Sequence, residues 1–370
     1  MAALLAAVGL TEIYRLGPPK AAFHQGVWVV IGVVAFAGTL LYLRGDYRVL
    51  ERYKYIFGVA AIVLLFMPLA PGFGETINGA RLWVHVGGLQ FQPGELGKIA
   101  LIVFLAAYLR ERREVLAQGR LKDWGPLLVI WGGAMLVLFV TNDLGSALLY
   151  YGIFLALLYI ATARIAFVAG ALGLFLVGAY AVGSATPHVR ERITVWLQPW
   201  TDKPVPCPGY ADTVRQQCES YQLVQSLYSI GHGGWIGTGL GRGIVTTAAG
   251  TPIVPDQNTD FIYSAIAQEL GLVGAAALLL VFMAFVVRGF RVSLDASDGF
   301  SKLLAAGLSF GFGLQTFVIV GGILRVIPLT GITLPFVSYG GSSVVSNFFL
   351  LAGLLLISNR ANRDQPAVAA

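Results

Sequence analysis

Charge is scarce in this sequence: Asp, Glu, Lys and Arg make up 12% of its 370 residues, against 56% hydrophobic residues and a mean hydropathy of +0.74. Soluble domains carry about 25% charged residues, so this balance excludes an ordinary soluble protein. Histidine and cysteine are scarcer still, with four and two. His24, His85, His188 and His232 lie scattered without ligand spacing, which argues against a dedicated zinc site. The glycine-rich run GHGGWIGTGLGRG at 231–243 follows no predicted strand and lacks the Lys-Ser/Thr of an ATPase loop. Its glycines fit a backbone that turns or packs closely. No inner-side connection is long enough to hold a nucleotide-binding domain, so any reaction must use a substrate that arrives already activated.

The abundant feature is long apolar runs. They cover 2–14, 27–44, 55–70, 95–110, 126–141, 146–162, 165–184, 261–288, 303–325 and 343–358. Membrane strands are about 10 residues long and alternate, whereas these runs are longer, apolar throughout and rich in Leu and Ala. The expectation is an all-α integral membrane protein with about ten transmembrane helices, forming one polytopic domain over 1–370. The first run would rise only about 20 Å as a helix against a hydrocarbon core of about 30 Å, and it looks clipped at its start. A signal peptide is the competing reading. No basic residue precedes that run and no clear cleavage site follows it.

Short connections orient such a bundle through their Lys and Arg. With both termini inside, Arg44, Arg48, Arg52, Lys54, Arg110, Arg112, Arg113, Arg120, Lys122, Arg164, Arg288, Arg291, Lys302, Arg360 and Arg363 all fall inside. The outer side receives Arg15, Lys20, Arg81 and Arg325, plus those of the long segment 185–260. The net charge of +6 is therefore a topology signal and not a nucleic-acid signal. The unusual segments 71–94, 142–145, 185–260 and 326–342 then lie outside, and function is sought there. The loop at 185–260, between the seventh and eighth spans, is too long to be structureless and is expected to hold amphipathic or re-entrant pieces. Cys207 and Cys218 both fall in it; outside the cytosol a disulfide is the natural reading, two free thiols the other.

Ionisable residues in or near the spans carry more weight, because a charge in hydrocarbon is costly and faces a partner or a cavity. Glu95 and Lys98 are three apart on one helical face, fit for a neutralising pair or for a site. Asp143 in TNDLGSAL stands at a helix start, where capping is the default role, and Asp256 and Asp260 in TPIVPDQNTDFIYSAIAQELG present the same choice. Glu269 is nine residues deeper than Asp260 and must be paired, protonated or facing water.

The segments NGARLWVHVGGLQFQPGELGK, TNDLGSALL, PDQNTDFIYSAIAQELGLVG and above all GGILRVIPLTGITLPFVSYGGSS resemble the hallmark segments of the SEDS (shape, elongation, division and sporulation) family. The match runs from Gln25 to about Arg360, in order and with the family's ten spans. The resemblance implies a peptidoglycan glycosyltransferase, similar to RodA and FtsW, that polymerises lipid II on the outer face of the bacterial cytoplasmic membrane. The RodA-like branch is favoured on overall similarity.

The family's essential carboxylate is the aspartate of its TDF motif, which falls on Thr259, Asp260 and Phe261 and makes Asp260 the expected base. A base must take the acceptor hydroxyl's proton, while a diphosphate leaving group needs positive charge from Lys, Arg or a divalent cation, Mg or Mn. Lys98, Arg81, Arg192 and Arg242 are the outer-side candidates for this role. Lys98 is favoured because the family's QPSE..K pattern maps onto Gln92, Pro93, Glu95 and Lys98, with Gly94 in place of Ser. Asp143 and Gly145 match a PDLG-like segment, Asp256 stands for a Glu, and Pro335, Ser338, Gly340 and Gly341 match the outer hairpin at 326–342, between the ninth and tenth spans. Pro335, Gly340 and Gly341 are expected to shape a re-entrant turn.

The short first span, Gln268 in place of a Glu, and the cysteine-bearing insertion at 207–218 depart from the pattern. The family also implies a class B penicillin-binding protein as transpeptidase partner. Two other readings compete. A lipid II flippase would suit ten spans with intramembrane charges, but no internal symmetry supports alternating access. A structural scaffold would leave Asp260, Lys98 and Glu95 without a purpose.

Overall fold

The computed structural model describes residues 1–70, 72, 74–77, 80–86, 89–117, 124–141, 143–185, 187–201, 204–207, 210–247 and 251–364. Among them each of the ten apolar runs coincides with a helix: α1 (Ala2–Leu16), α2 (Ala21–Leu43), α4 (Lys54–Phe66), α5 (Pro93–Ala117), α6 (Gly125–Val140), α7 (Leu144–Thr162), α8 (Ile165–Ala185), α11 (Ile262–Asp295), α12 (Gly299–Ile323) and α13 (Gly341–Asp364). The remaining helices are the short α3 (Val49–Arg52), α9 (Pro187–Leu197) and α10 (Tyr221–Gly233). Five helices, α2, α7, α11, α12 and α13, are long and apolar enough to cross a membrane, and three shorter apolar ones accompany them. This is a multi-pass membrane protein. Apolar side chains such as Val30, Val34, Leu41 and Tyr42 on α2 are exposed, as a lipid-facing helix requires.

The fold is not purely helical. The segment at 74–91 forms a three-stranded antiparallel sheet in the order β1 (Gly74–Ile77), β2 (Ala80–Val86), β3 (Leu89–Phe91). A hairpin of β4 (Pro204–Cys207) and β5 (Tyr210–Val214) lies in the long loop. Apart from β2, these strands have five residues or fewer and carry too few alternating positions to stand out in a hydropathy scan. Cys218 is disulfide-bonded; the Cys207 side chain and Asn142 fall outside the described residues. The segment 185–260 is organised by α9, the hairpin and α10, as its length demanded.

The chain forms two compact units. One comprises Gly26–Ala171, Met283–Leu314 and Gly340–Ala370. Its centre is α5, on which every residue from Ala100 to Leu109 is buried, as on a helix enclosed on all sides. α5 packs against α4, α6, α7 and α13. The ring of Trp131 stacks on Phe154 at 4.5 Å between α6 and α7. Serines of α13 satisfy the backbone at the head of α5: Ser342 Oγ accepts from the Gln92 N–H at 3.1 Å, and Ser346 Oγ donates to the Glu95 carbonyl at 2.8 Å.

The other unit comprises Met1–Gln25, Leu172–Phe282 and Gln315–Tyr339. Its frame is the start of α11. That helix has 34 residues, about 51 Å at 1.5 Å per residue, and breaks at Gly271, where φ is +68°. The glycine-rich run pairs with the break. Thr238 and Gly239 N–H groups donate to the Gln268 and Glu269 carbonyls, each at 3.0 Å, and the Leu272 and Val273 N–H groups donate to the Gly234 and Trp235 carbonyls at 2.9 and 3.2 Å. A Cβ on Gly237 or Gly271 would run into this backbone, so close approach is what glycine supplies here.

Candidate functional site

Immediately before α11 the chain makes a tight lead-in. Asp256 takes a left-handed conformation, φ +53°, and its carbonyl accepts from the Thr259 N–H at 3.0 Å, the Thr259 hydroxyl at 2.8 Å and the Asp260 N–H at 3.2 Å. The segment between α12 and α13 staples this turn from the other side. Tyr339 N–H donates to the Asn258 carbonyl at 2.9 Å, and Ser338 Oγ donates to the Thr259 carbonyl at 2.5 Å while accepting from the Leu334 N–H at 2.9 Å. Ser338 is buried, so the structure places this substrate candidate inside the scaffold with its hydroxyl engaged. Pro335 is buried in the same hairpin.

The result is a half-buried Asp260 with a carboxylate that accepts no hydrogen bond among the described residues. It does not cap α11, unlike the default reading of its sequence position. Gly331, at φ +71°, neighbours this carboxylate: a Cβ there would meet Asp260 Oδ2 at 3.4 Å, an ordinary van der Waals contact. Burial disfavours the charged form, the carboxylate of Asp256 adds to that, and the guanidinium of Arg192 on α9 opposes both; the Asp260 carboxyl is pushed up to about 7. Arg192 Nη1 donates to the Leu329 and Thr330 carbonyls, each at 3.3 Å. The structure thus brings Asp260, Asp256, Arg192 and Ser338 together around one turn. Arg242, in the glycine-rich run, is exposed.

Glu269 has a different environment. It pairs with Arg15 of α1, and its Oε2 accepts from the Gly241 N–H at 2.8 Å, while Arg15 Nη2 also reaches the Gly243 carbonyl at 2.5 Å. Of the three fates open to this buried carboxylate, pairing is the one realised. Two residues passed over in the sequence lie on the segments beside Asp260: Gln257 on the lead-in turn and Thr330 next to Gly331. Gln257 Nε2 and Thr330 Oγ1 are buried without a partner among the described residues. Such groups are few in native proteins and mark places where a ligand or water completes the bonding. Nothing in residue type alone would have singled them out.

In the other unit, Lys98 Nζ is 2.8 Å from Glu95 Oε2, and Lys98 is only 3% exposed. Tyr150 donates to the Gly94 carbonyl at 2.6 Å, which fixes the first turn of α5 beneath this pair. Asp143 caps α7, its side chain accepting from the Ser146 N–H at 2.9 Å. Arg81, on β2, donates to the Ala70 carbonyl at 3.4 Å. Among the described residues no three His, Cys, Asp or Glu side chains gather as a metal cage would need.

The match to the family of FtsW, RodA and SpoVE, described as cell cycle proteins, runs over residues 3–363. The chain belongs to this family. Relatives of this FtsW/RodA/SpoVE member include the peptidoglycan glycosyltransferase RodA of Mycobacterium tuberculosis, 40% identical over 381 residues that cover 98% of this chain and 77% of the relative. The probable peptidoglycan glycosyltransferase FtsW of Geobacter metallireducens is 32% identical over 97% of this chain and 93% of its own length. Among solved structures, a chain from a study of polymerization and crosslinking by a peptidoglycan synthase complex superposes with a TM-score of 0.78 at 27% identity, covering 98% of this chain and 97% of that one. The rod shape determining protein RodA of Thermus thermophilus shares the fold, with a TM-score of 0.67 at 24% identity over 99% and 96% of the two chains.

Proposed function

We propose that this FtsW/RodA/SpoVE member is a peptidoglycan glycosyltransferase that polymerises lipid II into glycan strands, with Asp260 as general base. The observation that carries the proposal is the state of that carboxylate. It is bound by no cap, set among protein atoms, and poised to exchange a proton near neutral pH, which is where a base works best. Asp260 takes the proton of the acceptor sugar hydroxyl as that oxygen attacks the donor's anomeric carbon. The new glycosidic C–O bond forms while the bond from that carbon to the lipid diphosphate breaks, and the diphosphate leaves with the electron pair.

Arg192 keeps Asp260 available in its ionised form. Gln257 and Thr330 offer a buried amide and hydroxyl for sugar hydroxyls or the peptide stem. Lys98, Glu95, Asp143, Arg81, Asp256 and Arg242 are proposed as substrate contacts on the strength of the family pattern, with Lys98 the favoured cation for a diphosphate. A divalent cation, Mg or Mn, would bind through diphosphate oxygens and water and supply charge there, since Mg in particular is commonly held through substrate phosphates.

The basic inner connections support an orientation with both termini in the cytoplasm and Asp260 on the outer face of the cytoplasmic membrane. A class B penicillin-binding protein that cross-links the strands is the proposed partner, and cell shape, elongation or division the proposed role.

The test is polymerisation of labelled lipid II by the purified chain with its transpeptidase partner, comparing wild type with Asp260→Asn at matched thermal stability. Polymer from wild type and none from Asp260→Asn is the expected result. Movement of lipid II across a vesicle bilayer without polymer would replace the enzyme by a flippase.

A further inference from the structure

α9 is tied to the chain that leaves α12 at two heights. At the first, Arg192 Nη1 reaches the carbonyls of Leu329 and Thr330. At the second, Arg325 grips the end of the helix: Nε donates to the Trp196 carbonyl at 2.7 Å and Nη2 to the Leu197 carbonyl at 3.0 Å. The Trp196 indole N–H returns a bond to the Arg325 carbonyl at 3.1 Å, and the guanidinium lies 5.4 Å from the centre of the Trp200 ring. A helix C-terminus leaves its last carbonyls without helical partners, and a cation there is favoured by the dipole. Arg192 and Trp196 are four residues apart, so both attachments hold one face of α9. Arg325 does this from a left-handed backbone, φ +61°, a conformation that costs a non-glycine residue free energy and persists where the surroundings enforce it.

The segment that Arg325 anchors ends at Gly331, which lies against Asp260 Oδ2. One short stretch of chain therefore starts at the clamp on α9, passes the carbonyls that hold Arg192, and finishes at the carboxylate. We propose that Arg325 is a positioning residue, which by fixing the last turn of α9 holds the Arg192 guanidinium at its working place beside Asp260. The inference rests on the reading of Asp260 as the base. Arg325 needs no contact with substrate for this role.

The charged groups that act on Asp260 are Asp256 on its own turn and Arg192 on α9. Of the two, only Arg192 favours the ionised carboxylate, so loosening α9 lets the proton stay on Asp260 to higher pH. A lysine at 325 would keep the charge and lose the two-pronged grip of the planar guanidinium.

The experiment is the pH–rate profile of lipid II polymerisation, from about pH 5.5 to about 9. It compares wild type, Asp260→Asn, Arg192→Gln, Arg325→Gln, Arg325→Lys and the double variant Arg192→Gln/Arg325→Gln, each in complex with the transpeptidase partner and each with its melting temperature measured. Arg325→Gln is expected to move the acid limb upward by about half to one pH unit, in the direction of Arg192→Gln. The loss is then about three- to eightfold at pH 6.5 and is largely recovered by about pH 8.5. Arg325→Lys falls between, and carries the decision if the glutamine variant misfolds. The double variant shifts no further than Arg192→Gln alone, because the two residues act on one quantity. An unmoved acid limb with the rate lowered by one factor at every pH, or shifts that add in the double variant, would overturn the proposal while leaving the base assignment intact. Polymerisation by Asp260→Asn would instead remove the reading on which it rests.

Discussion

Two carboxylates stand nine residues apart at the head of α11, and their surroundings are opposite. Glu269 is fully committed: Arg15 neutralises it and the Gly241 N–H occupies one of its oxygens. Asp260 has neither an ion pair nor a hydrogen bond among the described residues, and Arg192 influences it without contact at bonding distance. Both are flanked by glycine-bearing loops, so loop chemistry alone does not distinguish them. Commitment does. A carboxylate already bonded holds structure together, and one left unbonded against burial and a like charge is available to exchange a proton.

The comparison is broken most severely at Asp260. Its replacement by Asn is expected to lower polymerisation by about 10²–10⁴-fold with little change in melting temperature, as removal of a general base does. Glu269→Ala should do the reverse. It leaves Arg15, part-buried and still beside Glu12, without its partner on α11, costing about 1–3 kcal/mol of stability, while polymerisation per folded molecule is retained. Thermal unfolding in detergent reads that loss, and Arg15→Met/Glu269→Leu, which removes both charges, should recover most of it.

The pH profile sharpens the contrast. The ionised fraction of Asp260 rises through about 7, so polymerisation should climb across neutrality and fall as acid protonates the base. Asp256→Asn removes the charge that raises Asp260, and the acid limb should move down, leaving the variant faster than wild type at pH 6 relative to pH 8. A limb that stays in place would mean Asp256 exerts no influence on the carboxylate. The smallest effect is expected at Ser338→Ala, where the hydroxyl's bonds to the Thr259 carbonyl and from the Leu334 N–H are both lost for about 1–3 kcal/mol and the rate drops only as far as the lead-in turn loosens.

The sequence disclosed the spans because a long uninterrupted apolar run is legible without knowledge of its neighbours in the fold. It did not disclose the β1–β3 sheet, whose flanking strands β1 and β3 have only four and three residues, too few for alternation to register. The residues of the site were legible through motif resemblance, but their states were not. Asp143 and Asp260 have the same local signature of a carboxylate just ahead of an apolar run, yet Asp143 caps α7 and Asp260 caps nothing. The difference lies in the left-handed turn at Asp256, which takes up the N–H groups of Thr259 and Asp260 and delays the helix to Ile262. Pairing of Arg15 with Glu269 and of Arg325 with the end of α9 joins residues far apart in the chain, and such partners carry no mark in sequence order.

The break at Gly271 makes the length of one loop a strict quantity. The N–H groups of Leu272 and Val273 find their acceptors at Gly234 and Trp235, and the carbonyls of Gln268 and Glu269 find their donors at Thr238 and Gly239. A residue inserted between Trp235 and Thr238 would shift these two sets of bonds against each other. Backbone groups on a membrane span would then lose their partners where water is scarce. An insertion in the β4–β5 hairpin disturbs no such register on α11. Natural length variation and engineered tags should therefore be accepted at 204–214 and refused at 234–239, although both lie in the same stretch between two spans.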